Sequence, residues 1–190
     1  MRYGMPEEEE SRIYRGIDQI VETRLDRKGI VHSVSYKRAK EIWQNSRLRD
    51  HGCLMLDDQR QAAEDVLARY RAADPPCVLI SPRFATGIDF PGDECEYAIV
   101  PKVPWPPFKD PLVAARMKRD KDYPAYVTAQ TLQQSVGRHH RGKDEVSETF
   151  ILDSSFSRLR YVYTDFFGRW FTSAIRTLRS GERPPDPPKR

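Results

Sequence analysis

The chain has 190 residues, enough for one domain whose folding buries roughly 70% of the surface exposed by its unfolded form. Hydrophobic residues make up 38% and charged residues 32%, with a formal charge of +4 and a pI of about 9.0, so the exterior is polar and weakly favours an anionic partner. No apolar run approaches a membrane span, and Cys53, Cys77 and Cys95 lack the spacing of a zinc site or an iron–sulfur cluster.

These features lead to the expectation of a cytoplasmic protein with reduced thiols, no membrane contact, no metal site and no iron–sulfur cluster. The acidic run Glu7-Glu8-Glu9-Glu10 argues against a signal peptide. Residues 1–10 read as a flexible acidic tail, residues 11–180 as the folded domain, and residues 181–190 as a proline-rich flexible tail.

In chain order, Ile13, Ile17, Ile20, Val21 and Leu25 recur at helical spacing, and Gly29 reads as the turn that follows. Ile30-Val31-His32-Ser33-Val34 is a short β-rich run. Ala39, Ile42 and Trp43 mark a second helix, and Cys53-Leu54-Met55-Leu56 a second strand. Ala62, Ala63, Val66, Leu67 and Tyr70 form a helical stripe that ends near Asp74-Pro75-Pro76. Cys77-Val78-Leu79-Ile80 and Tyr97-Ala98-Ile99-Val100 are apolar strands, and Thr149-Phe150-Ile151-Leu152-Asp153 is a further one. Strands alternating with helical patterns predict an α/β domain, mainly a parallel sheet flanked by helices. From Leu159 through Val162, Tyr163, Phe166, Phe167, Trp170, Phe171 and Ile175 runs one long apolar stripe. Such a stripe either packs the core, the preferred reading, or offers bases a stacking platform.

Gln134-Ser135-Val136-Gly137-Arg138-His139-His140-Arg141 places a glutamine and two arginines at fixed spacing around a glycine. Planar guanidinium forks suit the oxygens of a phosphoryl group, and a nearby glutamine can orient water or sense the terminal phosphate. A solvated basic face is the plain alternative. The span Gly137 to Lys143 has phosphate-loop spacing, but Asp144 stands where Ser or Thr binds magnesium, and a helical pattern rather than a strand precedes it. The phosphate-loop reading is rejected.

Two more polar segments follow predicted strands, where open parallel sheets bind ligands. Ser33-Val34-Ser35-Tyr36 leads into the basic Lys37-Arg38-Ala39-Lys40. It suits a phosphate, or else Ser35 simply caps a helix. Ser81-Pro82-Arg83-Phe84-Ala85-Thr86-Gly87-Ile88-Asp89-Phe90-Pro91-Gly92 combines a glycine, an acid and hydroxyls around Arg83.

Taken in order, these segments resemble the C-terminal, second RecA-like motor domain of superfamily 2 DNA helicases of the XPD and DinG type. Gly29 to Ile42 is similar to motif IV, Ser81 to Gly92 to motif V, and Gln134 to Arg141 to motif VI, Q-x-x-G-R-x-x-R. Val103-Pro104-Trp105-Pro106-Pro107 with Asp110 to Arg116 resembles the proline-rich continuation of DinG-like enzymes. Thr86 stands where the family often has glutamate, and His139 and His140 where it is less polar.

The resemblance implies a P-loop-NTPase-type fold without its own phosphate loop, working with an N-terminal motor domain in cis or in trans. That domain would hold most of the ATP and Mg2+. Arg138 and Arg141 would act as arginine fingers and Gln134 as the coupling group, with Gly87, Asp89 and Gly137 at the nucleotide. Ser33, Ser35, Tyr36, Ser81, Arg83 and Thr86 would contact single-stranded DNA. The chain would then be ATP hydrolase and helicase only when paired. A catalytically silent nucleic-acid- or protein-binding module that keeps the fold is the alternative.

Overall fold

In the computed structural model, which describes residues 7–85, 88, 90, 92–137, 147–179 and 182–188, every strand is short and every strand pair is parallel. The strands are β1 (Lys28–His32), β2 (Leu54–Leu56), β3 (Cys77–Ser81), β4 (Tyr97–Val100) and β5 (Glu148–Ile151), in the spatial order β2-β3-β1-β4-β5. The helices are α1 (Glu7–Glu22), α2 (Tyr36–Asn45), α3 (Ala63–Ala72), α4 (Pro111–Arg119), α5 (Tyr123–Gly137), α6 (Ser155–Val162) and α7 (Arg169–Ala174).

Both faces of the sheet are covered, so successive residues of one strand enter opposite cores. Val31, Ile80 and Ile99 pack with Ile13, Ile17, Ile20 and Val21 of α1 and with Ala39 and Ile42 of α2. Ile30, Leu79 and Ala98 point the other way, onto Val66 and Tyr70 of α3 and onto Phe84 and Phe90. A third cluster joins Val100 and Val103 to Ala125, Ala129 and Leu132 of α5 and to Leu159, Phe167 and Phe171. This is the expected α/β RecA-like architecture, a five-stranded parallel sheet flanked by helices.

Several expectations change in detail. The acidic segment is helical from Glu7, because its carboxylates find partners. Glu8 pairs with Arg12, Glu10 with Arg38 at 3.0 Å, and Glu9 accepts from Ser154. Acids in a first turn also suit the helix dipole. Leu25 falls beyond α1 and is 50% exposed. Gly29 lies inside β1 instead of forming a turn, opposite Tyr97 in the ladder, and a Cβ there would overlap the Tyr97 ring. The C-terminal stripe is two short helices, not one. A 3-10 turn at Thr164–Phe166 and Gly168 divide it, which buries Phe167 and Phe171 but leaves Val162 and Trp170 half in solvent. Core packing thus takes part of the aromatic set.

Residues 182–188 do not project away from the domain. The carbonyls of Pro185 and Pro188 accept hydrogen bonds from Arg24 and Arg27, in the segment that leads into β1. Arg24 is fully buried, gripped by Glu148 at 2.8 Å, and stacked over Phe150 at 4.6 Å. No helix among the described residues is long and apolar enough to cross a membrane.

Candidate functional site

All five strands run the same way, so their carboxyl ends bring Ser33, Asp57, Ser81, Pro101 and Leu152 to one edge of the sheet. At β1, Ser33 and Ser35 frame a turn in which Val34 takes φ 53°, a left-handed backbone that β-branched residues rarely adopt. Ser33 is buried, its amide bonded to the Ser81 carbonyl and its hydroxyl donating to the Ser35 carbonyl at 3.3 Å. Ser35 is the N-cap of α2, and its Oγ accepts from the Arg38 amide at 3.2 Å. The turn therefore absorbs both serine hydroxyls locally and leaves Val34 and Tyr36 at the surface.

Beside it, Asp57 was not singled out in the sequence, yet its buried carboxylate organises the ends of β2 and β3. It accepts from Ser81 Oγ at 2.6 Å, from Arg83 Nε at 2.9 Å and from Arg83 Nη2. Ser81 Oγ also accepts from the Arg83 amide at 3.0 Å. Arg83 Nη1 reaches the Gln61 carbonyl at 3.1 Å. Those hydrogen bonds, donated to Asp57, hold the guanidinium above its ordinary pKa. The ring of Tyr36 lies with its centroid 5.7 Å from Arg83 Cζ, and burial, with the Asp57 charge adding to it, pushes its hydroxyl pKa up. Of the strand-end contacts expected from sequence, Ser33 and Ser81 have no exposed surface, Arg83 is largely committed internally, and Ser35 and Tyr36 face outward.

On the far side of the sheet, α5 carries Gln134 in its last turn. The neighbouring glutamines have different tasks. Gln133 is part of the scaffold, donating to the Phe166 carbonyl at 3.0 Å and accepting from the Gly168 amide at 2.7 Å. Gln134 is exposed. Ser135 turns inward, its hydroxyl bonded to the Leu132 carbonyl. Gly137 is the last residue of α5, so the G-x-x-x-x-G-K spacing begins at a helix end and not after a strand, as the rejected phosphate-loop reading requires. Arg138, Arg141, His139, His140, Thr86, Gly87 and Asp89 lie outside the described residues. Asp153 fastens the ends of β4 and β5 together by accepting from the amides of Val103 at 2.9 Å and Ser155 at 2.8 Å.

Among the described residues, no glycine-containing loop joins a strand to an α-helix, and no group of three or more His, Cys, Asp or Glu converges to hold a metal. The described part of this edge does not by itself fit a magnesium triphosphate.

Comparison with known proteins follows the same lines. No curated protein matches the chain. Its fold is similar to an apo XPD structure, with TM-score 0.66 and 17% identity over 88% of this chain and 36% of that one. A structure of an XPD helicase gives TM-score 0.62 and 16% identity, covering 84% of this chain and 31% of that one. Xpd4 of S. tokodaii gives TM-score 0.53 and 16% identity, over 83% and 32%. The chain thus spans about a third of the length of these structures. The family model described as the helicase C-terminal domain matches residues 21–174, well over half of the sequence. The chain belongs to the helicase C-terminal domain family.

Proposed function

We propose that the chain is the C-terminal motor domain of an ATP-dependent DNA helicase, acting with an N-terminal motor domain in cis or in trans. That second domain holds ATP and Mg2+ for the most part, and the cleft between the two brings the nucleotide to this chain. Arg138 and Arg141 then stabilise charge developing on the terminal phosphate, and Gln134 couples nucleotide state to closure. Gly87, Asp89 and Gly137 line the nucleotide side. Ser35, Tyr36 and Thr86 meet the single strand, while Ser33, Ser81 and Arg83 shape the surface on which it lies.

The observation that carries this reading is the exposure of Gln134 in the last turn of α5, immediately before the two motif arginines. Its neighbour Gln133 is consumed by the scaffold, so the free glutamine is the one that the motif spacing assigns. The alternative, a silent module, gives no reason for keeping this trio.

Two measurements test the proposal. The 190-residue chain alone hydrolyses no ATP, with or without single-stranded DNA, and DNA-stimulated turnover appears when an N-terminal motor domain is added. Robust hydrolysis by the purified chain alone defeats it, as does a complex with such a domain that stays inactive on DNA. Binding of single strands by the chain alone is salt-sensitive and without sequence preference, with Kd on the order of 10⁻⁴–10⁻⁶ M. Salt-independent nanomolar binding would instead favour the silent module.

A further inference from the structure

Where β1, β2 and β3 end, two aromatic rings, the half-buried Tyr36 and the buried Phe84, flank a cation whose charge is already matched. Arg83 gives Nε and Nη2 to the buried Asp57 carboxylate and Nη1 to the Gln61 carbonyl, with a longer contact of 3.4 Å to the Asp58 carbonyl. A guanidinium occupied in this way has little left to offer a phosphate. Its Cζ lies 5.7 Å from the centroids of both the Tyr36 and the Phe84 rings, so Tyr36 is the aromatic neighbour that also reaches the surface.

Tyr36 is half-buried, and among the described residues its hydroxyl makes no hydrogen bond to the protein. Next to it Val34 is 44% exposed on a left-handed backbone, while the hydroxyls of Ser33 and Ser35 are taken up by main-chain groups. The outer face of this turn therefore presents Val34 and the Tyr36 ring beside the exposed Ser35. Lys37, 86% exposed, and Arg60 stand on the flanking segments and supply positive charge.

We propose that the Asp57–Arg83 pair braces Tyr36 as a stacking platform for one base of a single nucleic-acid strand, with Asp57 a positioning residue. The proposal rests on the nucleic-acid reading above and deepens it. Aromatic stacking accepts any base, whereas phosphate contacts act through charge, and the two respond differently to salt. The sequence alone puts both Tyr36 and Arg83 among the strand contacts; the pairing with Asp57 leaves the ring to meet the strand and Arg83 to hold the ring.

The test uses the full chain and a short oligothymidylate carrying one 2-aminopurine, whose fluorescence falls when it stacks. Tyr36→Ala weakens binding about tenfold and abolishes the fluorescence response, with an unchanged dependence of affinity on salt. Tyr36→Phe keeps both, because the hydroxyl is not used. Arg83→Gln alone leaves a buried carboxylate unmatched and can unfold the edge, so the second variant is Asp57→Asn with Arg83→Gln, which removes both charges. It weakens binding several-fold and reduces the fluorescence response, again at unchanged salt slope. A slope lower by about one in the double variant would make Arg83 a phosphate contact and overturn the proposal. So would a Tyr36→Ala protein that binds and quenches like the parent. If the parent binds no oligonucleotide at any salt, the nucleic-acid reading itself fails, an outcome distinct from a loss confined to these variants.

Discussion

Arg24, with no solvent exposure, meets Glu148 through two parallel hydrogen bonds of 2.8 Å and so ties the segment before β1 to the first residue of β5. These two residues close the edge of the sheet opposite the strand ends that carry the candidate site. The same guanidinium covers Phe150 and donates to Thr23 Oγ1 and to the Pro185 carbonyl, so one side chain joins the residue that follows α1, the sheet and the C-terminal segment.

Breaking that pair from one side leaves a carboxylate in a mostly buried place. Glu148 is 18% exposed, so water recovers part of the loss. Arg24→Met is expected to cost about 3 kcal/mol, the lower end for a buried pair that loses one partner. Arg24→Met with Glu148→Leu is expected to recover most of it, because no unmatched charge remains. Urea denaturation of the three proteins checks both statements. A single variant as stable as the parent would show that the pair contributes nothing net.

Gly29 is the second point of close fit. Any Cβ at this position meets the Tyr97 ring, whose own position is fixed in β4 and between the helices. Gly29→Ala is expected to destabilise by about 1–3 kcal/mol through overpacking. Shortening the opposing side chain, Tyr97→Val, should couple favourably with it in a double-mutant cycle. Strict additivity of the two changes would mean that the ring simply swings away.

The sheet was largely legible in the sequence because its three central strands, β1, β3 and β4, are buried on both faces. Such a strand appears as an unbroken apolar run, and Tyr97–Val100 begins and ends where its composition changes. Gly29 was misread as a turn because its reason for being glycine is Tyr97, distant in sequence and adjacent only across the ladder. The stripe from Leu159 to Ile175 looked continuous because helical spacing survives the 3-10 turn, although the backbone does not. At the candidate site, motif spacing singles out Gln134, but nothing in the local sequence shows that Gln133 is the one built into the scaffold. The difference is the carbonyl of Phe166 and the amide of Gly168. Asp57 was invisible for the same reason. An acid after a strand is ordinary until Ser81 and Arg83 are seen to converge on it.

Burial also sets an alkaline limit. Cys95 has no exposed surface, and desolvation pushes its thiol from the ordinary 9.0 up to about 12, while its Sγ donates to the Tyr97 carbonyl at 3.3 Å. The folded state holds this proton more tightly than the unfolded chain does. Its contribution to stability is complete below pH 9 and is lost as pH rises through the window to about 12. Tyr70 and Tyr97, also raised by burial, act in the same direction at higher pH. Urea midpoints should fall across this window, and Cys95→Ala should flatten part of the decline. At neutral pH iodoacetamide should label Cys95 only after unfolding. Rapid native labelling would place the thiol at the surface.

The chemical core of the proposed function is tested in a reconstituted two-domain enzyme with DNA present. Arg138→Ala and Arg141→Ala are each expected to slow ATP hydrolysis strongly. An arginine acting directly on a phosphoryl transition state is worth roughly 10³–10⁵ in rate, and two neighbouring cations sharing the charge should make each single loss smaller. Lysine at either position should restore little, because an ammonium cannot reproduce the planar fork. Gln134→Ala is expected to lower the rate while leaving thermal stability unchanged, since its side chain is exposed at the end of α5. Gln133→Ala supplies the contrast. It removes the bonds to Phe166 and Gly168 and should lower stability by about 1 kcal/mol, because the groups left without a partner are only partly buried. His139→Ala is expected to change hydrolysis little. Parental rates in both arginine variants would remove the motif VI assignment and, with it, the main chemical support for a motor.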